Sequence, residues 1–138
     1  MDGQDVTADG TGGELEAVLG RFAEGWDAVV RCGPGWNRLV ADCDRELAGL
    51  CDRYVVYQIK EKFGGLRYYF SLPEDVVATD DGSLQAAMLT VTRRYEEASF
   101  HVCEHSGRPG VLMRSGSGWL RVVAPDLAPE GYTPVTGP

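Results

Sequence analysis

Residues Tyr54 to Phe70, YVVYQIKEKFGGLRYYF, leave this chain few ways to fold. Val55, Tyr57 and Ile59 share one parity, and Val56, Gln58 and Lys60 share the other. After Gly64-Gly65, Leu66, Tyr68 and Phe70 oppose Arg67, Tyr69 and Ser71. Alternation of β-branched and aromatic residues around a glycine pair specifies a β-hairpin, because glycine takes positive φ without steric penalty. The core parity is assigned to Tyr57, Tyr68 and Phe70, which leaves Arg67 and Tyr69 on the outer face with Lys60 and Lys62.

Helical periods flank the hairpin. From Glu14, the residues Leu15, Val18, Leu19, Phe22, Trp26, Val29 and Val30 fall on one face, with Gly20 and Gly25 weakening or bending the helix. Cys32-Gly33-Pro34-Gly35 ends it. A second helix is predicted over Trp36–Arg53, with Trp36, Leu39, Val40, Cys43, Leu47, Leu50 and Tyr54 as its apolar stripe. After a loop over 74–82, Ser83 caps a third helix that ends near Val102, with Leu84, Ala87, Met88, Val91, Tyr95, Ala98 and Val102 buried. Short β-like pieces follow at 111–113 and 119–123.

The fold class is therefore α+β: helices packed on a small antiparallel sheet with the central hairpin at 54–71, followed by a ribbon-like β extension. The expected organisation is a disordered leader over 1–13, a core over 14–102, a ribbon-like subdomain over 103–127 and an extended tail over 128–138.

Charge narrows the partners. Asp and Glu number 21 against 13 Lys and Arg, a net charge of -8. A field of that sign disfavours nucleic acid and attracts basic proteins. No apolar run is long enough to cross a bilayer, and the acidic start has no secretory signal, so a cytoplasmic protein without membrane contact is expected. The four cysteines lack CxxC spacing and are expected to be reduced.

The order GWNRLV (35–40), QIKEKFGGLRYYF (58–70), Glu97-Ala98-Ser99, Cys103-Glu104, Gly107, Pro109-Gly110 and Gly118-Trp119-Leu120 resembles a family of small phage and bacterial proteins. These carry an IKEKFG-x-LRFY hairpin followed by a zinc ribbon, and the family brings no activity with it. The resemblance spans residues 32 to 127. It implies zinc ligands at the positions held here by Cys103, Ser106, Ala124 and Leu127, of which only Cys103 is a donor. A tetrahedral zinc needs four Cys or His ligands. The expectation is a ribbon that has lost its metal, with His105 as one incidental neighbour, no cofactor, and packing by Val111, Met113, Trp119, Leu120 and Val122.

Three functions are open to such a chain. The favoured one is a non-catalytic acidic module that binds a protein partner, a basic one being favoured by the net charge, such as an immunity or inhibitor protein or a phage or defence component. Lys60, Lys62, Arg67, Tyr69 and Trp119 are its candidate binding residues. The alternative is a nucleic-acid-associated ribbon protein that uses Lys60, Lys62 and Arg67 beside Tyr69. The third is an enzyme dependent on Cys103, with His105 at i+2 as its base. No phosphate-binding glycine loop, HExxH or GxSxG is present.

Overall fold

The computed structural model describes residues 13–135. The expected leader, Gly13 apart, lies outside the described residues, as do the last three residues of the expected tail.

The fold is α+β, with two three-stranded sheets and helices packed on the first. In chain order the elements are α1 (Glu16–Leu19), β1 (Val30–Arg31), a 3-10 turn (Pro34–Trp36), α2 (Asn37–Leu50), β2 (Val55–Lys62), β3 (Gly65–Ser71), α3 (Glu74–Thr79), α4 (Ser83–Ser99), β4 (Val111–Arg114), β5 (Leu120–Val123), a 3-10 turn (Pro125–Leu127) and β6 (Thr133–Pro134). The first sheet runs β1-β2-β3 and the second β5-β4-β6.

The hairpin forms with its turn one residue earlier than the glycine pair suggests. Lys62 pairs with Gly65, so Phe63 and Gly64 are the central residues, with φ of 54° and 86°. Both angles are positive, as a type I′ turn requires. Gly65 belongs to β3, where an added Cβ would lie 2.6 Å from the Phe100 ring. The parity of the first arm also changes midway. The register shifts between Val56 and Gln58, a bulge that leaves Tyr57 unpaired. Val56 and Ile59 are consequently both fully buried, while Tyr57 is half-buried and meets Trp26 edge-on, 5.2 Å between ring centres. On the second arm Leu66 and Tyr68 are buried as the alternation predicts.

The first predicted helix is only one turn long. After Gly20 the chain becomes extended: Phe22 bridges Val56 in parallel and Val30 pairs with Ile59, so the segment adds a parallel edge to the hairpin. Gly25, at φ 88°, leaves helical backbone altogether. An apolar spacing of three and four served a sheet edge here because strand pairing satisfies the backbone that two glycines unwind. The expected loop over 74–82 contains α3. Ser83 is the first helical residue of α4 and not its cap. The free N–H groups of Ser83, Leu84 and Gln85 instead donate to the carboxylates of Asp81 and Asp80. That helix stops at Ser99, whose buried hydroxyl accepts the Leu66 N–H at 3.0 Å.

The main core gathers Trp36, Val40, Cys43 and Leu47 of the α2 region with Tyr54, Ile59, Leu66, Met88 and Val91. A polar network crosses it. Asp44, 3% exposed, accepts from Arg21 Nε and from the Tyr54 hydroxyl, each at 2.5 Å, and Tyr54 meets the Tyr68 hydroxyl at 2.6 Å. Burial, then the hydrogen bond to Asp44, pushes the Tyr54 hydroxyl far above its ordinary range, and burial does the same to Tyr68. Both stay neutral and serve as donors beside the Arg21–Asp44 charge pair.

The second sheet has a much smaller centre of Cys103, Met113, Val123 and Ala124. Val111 and Trp119, expected inside it, are exposed, Trp119 at 72%, and Leu120 is half-buried. Thr133 and Pro134 of the expected tail pair with Arg114 and Met113 as β6. The sheet is fastened to the body at two places. Gly35 lies so close to the 103–107 turn that a Cβ would come within 2.2 Å of the Cys103 carbonyl oxygen, and its N–H donates to Glu104 O at 2.7 Å. At the hairpin tip, Gly64 admits Leu112, whose Cδ1 would be 2.7 Å from an added Cβ.

Candidate functional site

The docking of the hairpin tip against β4 and β5 leaves a cleft of about 860 Å³. Glu61, Lys62 and Phe63 line it from the first sheet, and Trp119, Leu120 and Arg121 from the second, with Glu104 and Tyr132 completing the wall. Two rings are out of place by solvent exposure, Phe63 at 68% and Trp119 at 72%. Phe63 is also held in left-handed backbone, which costs a residue with a Cβ about 1–2 kcal/mol. Glu61 supports this turn by accepting the Gly64 N–H at 2.8 Å. Strain of this kind gathers at functional positions. On the other side, Trp119 is held through its backbone: its N–H donates to Ser115 Oγ and its carbonyl accepts the Ser115 N–H.

Charge in the cleft is balanced and unpaired. Lys62 and Arg121 have no carboxylate within ion-pair distance among the described residues; Lys62 Nζ lies 5.6 Å from the centre of the Phe63 ring, and Arg121 5.5 Å from that of Tyr132. Glu61 and Glu104 likewise have no cation that close. Glu104 gives Oε2 to the Gly33 N–H at 2.8 Å. Burial raises its carboxyl above the usual range; the Gly33 N–H and the charge of Arg121 pull it down, and the charge of Glu61 adds to the rise.

Of the five candidate binding residues, the structure brings Lys62 and Trp119 together in this cleft. Lys60, Arg67 and Tyr69 lie on the outer sheet face instead. Lys60 and Arg67 are paired across the strands, and Lys60 Nζ sits 6.0 Å over the Tyr69 ring. Arg67 is turned to α4, with Nε 3.5 Å from Glu96 Oε2. Sequence reasoning missed Phe63, Arg121, Tyr132, Glu61 and Glu104. Phe63 was legible in principle, since the residue before the first glycine of a two-residue turn projects from the hairpin tip. The others reach the cleft only through the docking of the two sheets.

The Cys103 segment is a turn and not a strand. Cys103 is fully buried while His105 is exposed, so the i, i+2 pair is not aimed at one point. Ser106 N–H donates to Cys103 Sγ at 3.3 Å. Burial pushes the thiol up, but hydrogen bonds from Ser106 and from the backbone of Ala124, Ser106 and His105 outweigh it and leave the group below its ordinary range. Cys103, Ser106 and Ala124 are thus neighbours, with backbone N–H groups turned to the one sulfur. Three or more His, Cys, Asp or Glu groups are nowhere gathered to hold a metal among the described residues. His101 and His105 do not share a helical face, because α4 ends before both. Burial, with the charges of Glu104 and Glu61 adding to it, pushes the Cys32 thiol up to about 12. No described helix is long and apolar enough to cross a membrane.

Comparison with protein-family models, with curated proteins and with solved structures returned no match.

Proposed function

We propose that this chain is a non-catalytic protein-binding module whose partner seats on the cleft between the hairpin tip and β4–β5. The observation that carries the reading is the pair of exposed rings, Phe63 and Trp119, lining one cleft. Large aromatics with arginine dominate protein interfaces, and a strained residue kept at the tip of a hairpin points the same way. An immunity or inhibitor protein, or a component of a phage or defence system, is the biological role such a small acidic module fits. Its net charge of -8 would speed association with a basic partner and make that association slow as salt rises.

Binding of nucleic acid through Lys60, Lys62 and Arg67 is the weaker reading. Arg67 lies within ion-pair distance of Glu96, and Glu61 adds an opposing charge beside the lysines. Catalysis by Cys103 is weaker still, given a buried sulfur and an exposed His105.

Affinity capture from an extract of the source cells, with and without nuclease, decides between them. The expected result is one stoichiometric protein that survives nuclease and is lost when Phe63 and Trp119 are both replaced by Ala. Recovery of nucleic acid in its place, abolished by reversing Lys60, Lys62 and Arg67, would overturn the proposal.

A further inference from the structure

The charges of the cleft say more about what enters it. Glu61 and Glu104 balance Lys62 and Arg121 there, so the lining carries no net charge and selection falls to which of the four groups are already engaged. The two cations are already drawn over rings of their own chain. Each of the two carboxylates uses Oε2 on a backbone N–H, and neither has a cation within ion-pair distance among the described residues. Glu104 is half-buried, and burial with the charge of Glu61 holds its carboxyl up against the Gly33 N–H and the charge of Arg121, a state that a further cation relieves. The exposed Trp119 ring offers the best face for a cation among the aromatic side chains.

We infer that the cleft takes an arginine side chain of a partner polypeptide, its guanidinium stacked on Trp119 and paired with the carboxylates of Glu104 and Glu61. Arginine fits better than lysine because its planar fork stacks and hydrogen-bonds to a carboxylate at once, and because it is less strongly hydrated. A phosphate backbone or an acidic peptide would instead meet both carboxylates, with the two cations already over rings of their own chain. This inference rests on the protein-binding reading and names the chemistry of the partner.

The test uses the full chain and the blocked peptide acetyl-Gly-Arg-Gly-amide, read by the indole N–H of Trp119 in NMR. Its citrulline and glutamate counterparts and a short oligothymidylate serve as comparison ligands. The arginine peptide is expected to shift Trp119 saturably, with affinity that falls as salt rises. Citrulline in place of arginine is expected to weaken binding about tenfold or more, a loss of roughly 1.4 kcal/mol. Glu104→Gln, which keeps an acceptor for Gly33, and Trp119→Ala, read through the neighbouring Gly118 amide, should each cause a comparable loss. Equal or tighter binding of the glutamate peptide or the oligothymidylate would overturn the inference, as would an unmoved Trp119. If the arginine peptide fails while a captured protein is still lost on replacing Phe63 and Trp119, only the arginine assignment falls. If the captured protein survives those replacements, the binding-module reading falls with it.

Discussion

The sheet β1-β2-β3 and the sheet β5-β4-β6 have the same number of strands and unlike means of support. The first is buried against α2 and α4, and its core includes whole side chains of Trp36, Tyr54, Leu47 and Met88. The second encloses four small or medium residues, one of them the Cys103 thiol, and its Val122 belongs to the core of the first. Full burial of a Leu- or Met-sized side chain contributes about 1.5–3 kcal/mol, so four such residues fall far short of ordering more than twenty. A ribbon that held a metal would draw the deficit from its ligands. Here it is drawn from close backbone contact at Gly35, from the packing of Leu112 and Leu120 against Gly64, and from the shared Val122. The difference teaches that the second sheet is not free-standing. It leans on the body, and the seam between the two is where the exposed rings lie.

The comparison breaks most severely at Trp36. Its ring is fully buried and its Nε1 donates to Val102 O at 2.8 Å, which links the body to the chain entering the second sheet. Trp36→Ala is expected to cost about 3–5 kcal/mol in chemical denaturation. Gly35→Ala should come next, at about 1–3 kcal/mol, because the new Cβ meets backbone atoms that cannot turn aside.

Two substitutions in the cleft should separate stability from binding. Phe63→Asn replaces a strained residue with one suited to a type I′ turn, so the midpoint of unfolding should rise by an amount equivalent to about 1 kcal/mol while partner binding weakens. The smallest effect belongs to Glu104→Gln. A carboxyl held above its usual range in the folded state favours folding while it is protonated, below its unfolded pKa, and that contribution is lost as pH rises through its folded pKa. The Gln variant should therefore melt slightly higher than the parent at neutral pH. The gain should vanish in acid, where Glu104 is protonated in both states.

The residues that specify the fold locally were readable. The hairpin, α2 and most of α4 follow from periods of two and of 3.6, because each buries one face and exposes the other. The reading failed where a local pattern was overruled by something distant. The bulge at Tyr57 reverses parity without any mark in the composition, and the segment Phe22–Arg31 has a helical spacing but pairs with β2. Trp119 was assigned both to the ribbon core and to binding, and only its position at the edge of a small sheet leaves it in solvent. Of the candidate site, Lys62 and Trp119 were legible as residue types. Their meeting with Arg121 and Glu104 was not, since it depends on how one sheet docks against the other.

Amide hydrogen exchange in Gly35→Ala, resolved residue by residue against the parent, tests the dependence of the second sheet most directly. Loss of protection across the β4 and β5 ladder, with Ile59 and Tyr68 still protected, is the predicted result. Unchanged protection in β4 and β5 would mean that this sheet stands on its own core, and the seam would lose its claim to be what holds the cleft together.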